Sequence, residues 1–151
     1  MADNATSSVN IKIRIMKIDD YEEVYELWLN TPGMGLNNLD DSKEGVEKYL
    51  ARNPNTCFIA EKDGNIIGAI LSGHDGRRGY IYHAAVVQSE QRHGVGTALV
   101  IAAVSALKRE GINKAALVVF RKNEKGNAFW EKQGFIARDD LNYCNKETEA
   151  R

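Results

Sequence analysis

The sequence predicts an α/β fold, a mixed and mostly antiparallel sheet with helices on its faces. Three observations carry that prediction. Two turn signals, Lys62-Asp63-Gly64-Asn65 and His74-Asp75-Gly76-Arg77-Arg78-Gly79, separate short apolar runs at 56–61, 66–72 and 80–87, the mark of an antiparallel meander. An amphipathic segment at 94–110 then stands between the run at 80–87 and a wholly apolar run at 115–120. A crossover helix of that kind makes its two flanking strands parallel.

At 151 residues the chain is long enough for one domain with its own core, expected over 11–147, and short for two. Twenty Lys and Arg against twenty-one Asp and Glu leave a formal charge of −1, so charge offers no case for nucleic acid or a membrane surface as partner. No apolar run approaches the roughly 18 residues of a membrane span. Residues 1–10 lack the basic flank and apolar centre of a signal peptide and read as a short disordered tail. Cys57 and Cys144 fall in candidate strands and read as buried, reduced thiols. Neither forms a C-x-x-C pair, and the three scattered histidines do not complete a metal set. A cytoplasmic protein without a metal is expected.

The elements follow in order. Ile11-Lys12-Ile13-Arg14-Ile15 alternates apolar and basic residues, the period of a half-buried strand. Asp19 or Asp20 caps a helix in which Tyr21, Val24, Tyr25 and Trp28 recur at helical spacing. Asn30-Thr31-Pro32-Gly33 stops it, and 34–41 reads as irregular. Ser42 opens a second helix with Val46, Tyr49 and Leu50 on one face, ended by Asn53-Pro54. After the meander, Val95, Leu99, Ala102, Ala103 and Ala106 form a narrow, alanine-rich stripe that lets the helix lie close to a sheet. Gly111 is its expected C′ residue. A last helix spans 123–132, with Ala128 and Phe129 inward and Gly134 ending it. Runs 135–138 and 141–146 are expected as short closing strands around Asp139-Asp140.

The turn Gln91-Arg92-His93-Gly94-Val95-Gly96-Thr97 concentrates the chemistry. Two glycines at alternate positions leave the backbone unshielded where a helix begins, and the first helical amides have no intrahelical acceptor. Such a turn is suited to an anion, most often a phosphate. A tight strand-to-helix turn without a ligand remains open for the two glycines alone. A dinucleotide site would need a third glycine where Leu99 stands, and a P-loop would need Gly-Lys-Ser/Thr, which is absent.

Gln91-x-x-Gly94-x-Gly96 resembles the acyl-CoA-binding signature of the GNAT superfamily of N-acetyltransferases. The block Asn123-Glu124-Lys125-Gly126-Asn127-Ala128-Phe129-Trp130-Glu131-Lys132-Gln133-Gly134-Phe135 is similar to the family's segment running from an asparagine to F-Y-E-K-x-G-F. The order of elements agrees over 11–146. The His74–Gly79 turn resembles that of bacterial stand-alone members.

The resemblance implies a GNAT-like fold whose central parallel pair, 80–87 and 115–120, splays into a V. Pantetheine would enter that gap and bond the strand backbone around Ala84, Ala85 and Val86, reusing sheet-edge hydrogen bonding on a ligand. Pyrophosphate would rest on the amides from Arg92 through His93, Gly94, Val95 and Gly96 to Thr97. Asn123 and Gly126 match positions on the far wall of that groove. The family's acid tyrosine falls at Trp130, whose indole N–H is no proton donor near neutral pH, so Trp130 with Phe129 is expected to pack against the pantetheine arm or the core. Acetyl transfer to an amine needs a polarised carbonyl, a base and an acid for the thiolate, but no acyl-enzyme. Tyr143 and Tyr82 are the candidate acids. His83 is the candidate base, against the plainer reading of a hydrogen-bonded core histidine, because neither parallel strand carries a carboxylate. Strand parity places Tyr80 and Tyr82 on the face opposite His83 unless a bulge intervenes. Trp28, Met34, Leu36, Asn37 and Arg77 are candidates near the acceptor, although Trp28, on the apolar stripe of its helix, is better read as core packing.

The expected activity is acetyl transfer from acetyl-CoA to a primary amine of a small molecule or peptide, with a homodimer among the resemblance's implications. The missing tyrosine and carboxylate motivate a rival of another class, a non-catalytic acyl-CoA-binding or sensing module.

Overall fold

The computed structural model describes residues 10–149. In order these form β1 (Ile11–Ile15), a 3₁₀ turn (Ile18–Asp20), α1 (Tyr21–Leu29), α2 (Lys43–Arg52), β2 (Phe58–Lys62), β3 (Asn65–His74), β4 (Gly79–Val86), a second 3₁₀ turn (Gln88–Glu90), α3 (Val95–Arg109), β5 (Ala115–Ala116) and α4 (Glu124–Lys132). Of the expected tail, residues 1–9 lie outside the described residues. The chain divides after Val118 into two compact units.

In the first unit one sheet runs in the order β1-β2-β3-β4-β5, antiparallel through β4, with β5 parallel to β4. The β2–β3 hairpin closes through Asp63 at φ 52° and Gly64 at φ 81°, the left-handed pair that an Asp-Gly turn supplies. β3 is buried along nearly its whole length because helices cover both of its faces. On one face Ile59, Ala69, Leu71 and Ala85 join Val24, Leu27 and Trp28 of α1 and Val46 and Leu50 of α2. On the other, a Cβ at Gly68 would meet Leu99 Cδ1 at 3.0 Å and Val95 Cγ1 at 3.3 Å, so glycine lets α3 approach the sheet. Val100 and Leu107 are buried along with Val95, Leu99, Ala103 and Ala106, so the inward stripe of α3 is broader than the alanine row suggests.

Helix starts follow local chemistry. Ser42 Oγ accepts from the Gly45 N–H at 3.0 Å and caps α2. Asp20 does not cap α1 with its side chain. Its carboxylate accepts from Arg14 Nη1 and Nη2, each at 2.9 Å, and from the Lys17 N–H at 2.8 Å, fastening the 3₁₀ turn to β1.

Two expectations fail along the sheet. Of the run at 115–120, two residues pair, Ala115 with Gly79 and Ala116 with Tyr80, while β4 continues to Val86. The second irregularity is a bulge in β4. Leu71 pairs with His83 but Ser72 pairs with Ile81, leaving Tyr82 as the extra residue. One extra residue reverses the alternation below it, so Tyr80, opposite Gly73, shares the His83 face. Tyr82 meets Tyr49 of α2 edge-on at 5.7 Å. The separation of these tyrosines from His83, expected unless a bulge intervened, does not hold because the bulge is present.

The second unit holds α4. Asn123 Oδ1 accepts from the Gly126 N–H at 2.9 Å as its cap, and Asn127 Nδ2 donates to the carbonyls of Phe120 and Asn123. Trp130 stands between Phe129 and Phe135, with centroids 5.0 and 5.2 Å away. Ala128 is exposed, not inward. Residues 135–138 and 141–146 carry no strand pairing, so the expected closing strands are not formed among the described residues. An apolar run supplies propensity, but a strand exists only where its N–H and C=O groups meet a partner edge. Cys144 is exposed and outside any strand, against expectation, whereas Cys57 is buried.

Candidate active site

β4 carries the strand residues expected at the site, and its free edge follows from where its neighbour leaves it. Pairing with β5 ends at Tyr80, so the β5-facing edge from Ile81 to Val86 carries backbone groups outside any ladder. Ala84, Ala85 and Val86 lie on this stretch.

At its end the chain turns into α3. Gln91 Nε2 donates to the Val86 carbonyl at 3.0 Å and ties the turn to the strand. Arg92 and Gly94 both have left-handed backbones, at φ 71° and 82°. Gly94 is the N-cap of α3, and the first helical bond runs from Ala98 N to the Gly94 carbonyl. The amides of Val95, Gly96 and Thr97 therefore stand ahead of the helical ladder, at the positive end of its dipole. A Cβ at Gly94 would meet nothing within 4 Å, so the ground before this turn is open. The open edge and the forward amides are where the sequence resemblance expects the pantetheine and pyrophosphate of coenzyme A. Behind the turn, Lys62 Nζ lies 3.1 Å from Glu90, and His93 Nδ1 lies 3.6 Å from the same carboxylate. The bond from Lys62 holds the Glu90 carboxyl below the usual range.

His83 lies three positions past Tyr80, on the face covered by α1. Its ring meets Trp28 edge-on at 4.8 Å, and its Nε2 lies 2.9 Å from Asp41 Oδ1. Both side chains are largely buried, at 12% and 7% exposure. Asp41 is the residue that the sequence reading missed. It closes the irregular stretch 34–41, where nothing in spacing links it to a strand 42 positions away. Its one local sign is its place just before the Ser42 cap. Asp41 Oδ2 accepts from the Asn37 N–H at 2.7 Å, and its carbonyl accepts from the Tyr21 hydroxyl at 2.7 Å.

The other expected residues are distributed as follows. Trp28 is 1% exposed and lies in the core, with an indole Nε1 that has no hydrogen-bond partner among the described residues. Met34 and Leu36 pack partly against that core. Asn37 Oδ1 accepts from the N–H groups of Leu39 and Asp40, so the side chain shapes the loop that carries Asp41. Arg77 is exposed in the β3–β4 turn, where its N–H donates to Asp75 Oδ1. Tyr82 is exposed beside Tyr80, with ring centroids 4.6 Å apart. Tyr143, Asn123, Gly126, Phe129 and Trp130 belong to the second unit, where Tyr143 is exposed and outside any strand. Among the described residues no group of three or more His, Cys, Asp or Glu side chains could hold a metal ion, and no helix is long and apolar enough to cross a membrane.

A parallel pair joined over two residues and a helix start with unpaired first amides agree with what the sequence resemblance implies, an acyl-coenzyme A-dependent transferase. The chain belongs to the GNAT acetyltransferase family, whose sequence profile matches residues 21–135. It is an acetyl-CoA-dependent N-acetyltransferase. It is similar to an acetyltransferase of Sodalis glossinidius, with 29% identity over 131 residues, 87% of this chain and 91% of that one. It is also similar to an acetyltransferase of Pectobacterium atrosepticum, with 30% identity over 141 residues, 93% of this chain and 99% of that one. In fold it matches the PaiA N-acetyltransferase of Thermoplasma acidophilum, solved with coenzyme A, at a TM-score of 0.74 and 23% identity over 85% of this chain and 91% of that chain. These likenesses set aside the non-catalytic binding module.

Proposed function

We propose that the chain transfers the acetyl group to a primary amine of a small molecule or a peptide, by direct attack in a ternary complex. The observation that carries this reading is His83, which lies on the strand with the open edge and is bonded to the buried carboxylate of Asp41. Bound acetyl-CoA supplies a thioester whose C–S bond breaks as the C–N bond to the amine forms, the electron pair leaving on sulfur. The chain's own part is threefold. The turn from Gln91 to Thr97 holds the pyrophosphate on forward amides. The backbone N–H near Val86 polarises the carbonyl. His83 takes the amine proton, and Tyr82 or Tyr143 returns one to sulfur. Arg77 and the loop at 34–37 border the acceptor. The family match runs across both compact units, which supports reading 11–147 as one catalytic domain.

Thiol release measured with acetyl-CoA and a panel of primary amines tests the proposal. Release above the hydrolytic background with at least one amine is expected. A panel spanning polyamines, aminoglycosides, amino acids and peptide N-termini that never exceeds background would overturn it.

A further inference from the structure

We infer that Asp41 is a positioning residue for the proposed base. It fixes His83 in the tautomer that leaves Nδ1 free to accept the amine proton, and its charge stabilises the imidazolium that results. The inference rests on the reading of His83 given above. An ionised carboxylate only accepts hydrogen bonds, so the 2.9 Å contact requires the His83 proton to sit on Nε2. The lone pair of the neutral ring is then at Nδ1.

Asp41 is well held for this task. One oxygen takes the Asn37 N–H, the other takes His83, and the Tyr21 hydroxyl grips the backbone carbonyl. The Asp41 backbone N–H donates to the Asn37 carbonyl at 3.0 Å, so the loop closes on itself around the carboxylate. Among the described residues, no Lys or Arg forms an ion pair with Asp41. A buried carboxylate without a cation is costly, and the cost falls when its neighbour becomes positive. The charged side chains of α1 (Glu22, Glu23, Glu26) and α2 (Lys43, Glu44, Glu47, Lys48, Arg52) are exposed, and the other titratable groups toward the core beside His83 are Tyr21 and Tyr25 of α1, Tyr49 of α2, Cys57 ahead of β2, and Tyr80 and Tyr82 of β4. They are phenols and a thiol, so the carboxylate of Asp41 supplies the charge. When the amine proton passes to Nδ1, one N–H bond breaks on the acceptor and one forms on the ring. The Nε2–H stays on His83, and no further reactant is needed.

Nitrogen-15 NMR of the three histidine rings reads the tautomer without any acceptor. His83 is expected as the Nε2–H form, and an Nδ1–H form in the wild-type protein overturns the inference even if variants fail to fold. Kinetics supply the second arm. Asp41→Asn is expected to lower kcat about tenfold or more, with the KM for acetyl-CoA within about twofold, as for loss of a group that tunes general base catalysis. Removing the neighbouring anion disfavours the imidazolium, so the ascending limb of the pH–rate profile moves to lower pH. A folded Asp41→Asn enzyme whose limb does not move overturns the inference while leaving His83 as the base. His83→Gln with an unchanged limb overturns both.

Discussion

Gln91 donates its side-chain amide to the Val86 carbonyl at 3.0 Å, so the turn that begins α3 is fastened to the last residue of β4. This bond links the open strand edge to the forward amides, the two places proposed to hold one coenzyme. Gln91→Ala removes an exposed bond worth about 1 kcal/mol, and the KM for acetyl-CoA should rise about fivefold with a smaller change in kcat. Steady-state kinetics checks it. An unchanged KM would separate the turn from coenzyme binding.

Gly68 sets how closely α3 approaches the sheet. Gly68→Ala puts a Cβ 3.0 Å from Leu99 Cδ1 and 3.2 Å from the Ala85 carbonyl oxygen. The leucine can turn slightly, but backbone cannot, so destabilisation of about 1–3 kcal/mol is expected from overpacking. Urea unfolding gives the number, and equal midpoints for variant and wild type would contradict the close approach.

Asp20 should make stability depend on acid. Burial alone would raise its carboxyl, but the bonds from Arg14 and the Lys17 N–H outweigh burial and hold it below the ordinary 3.8. A group with a depressed folded value contributes stability above its unfolded value and loses it as pH falls through the folded one. Asp20→Asn is therefore expected to cost about 1–3 kcal/mol at pH 7, with the difference from wild type shrinking below about pH 4. Denaturant titrations at several pH values check it. A difference that stays constant down to about pH 2 would show that the charge is not what matters.

The two thiols should differ sharply in reactivity. Burial pushes Cys57 up to about 12, and its Sγ donates to the Ser72 carbonyl at 3.1 Å. Cys144 is exposed. Since the thiolate is the reactive form, a disulfide reagent at about pH 8 should label one thiol quickly and the second only after unfolding. Cys144→Ser should abolish the fast phase. Two fast thiols in the native wild type would contradict the burial of Cys57.

The features legible in the sequence are those whose causes are local. Asp63-Gly64 needs left-handed backbone and closes the hairpin where the sequence places it. Ser42 caps a helix three residues before the amide it accepts. Gly94 and Gly111 bracket α3 with φ near 82° at both ends. The alternation in 11–15 and the apolar meander place the sheet because burial demands those faces. Family resemblance then carried these elements to acetyl-CoA.

The bulge at Tyr82 was not legible, because one extra residue leaves no mark in an apolar strand and yet reverses every face below it. The apolar run at 115–120 reads as a full strand, but pairing stops where β4 and β5 part, a fact of backbone partners and not of propensity. Asp41 was hidden for a similar reason.

The sequence by itself determined the fold class, the element order through α4 and the glycine-punctuated turn before α3, since periodicity, caps and glycine backbone act within a few residues. Tertiary structure alone decided which carboxylate meets His83. That contact spans 42 positions and exists because the irregular loop at 34–41 folds over the sheet to deliver Asp41 into hydrogen-bond range.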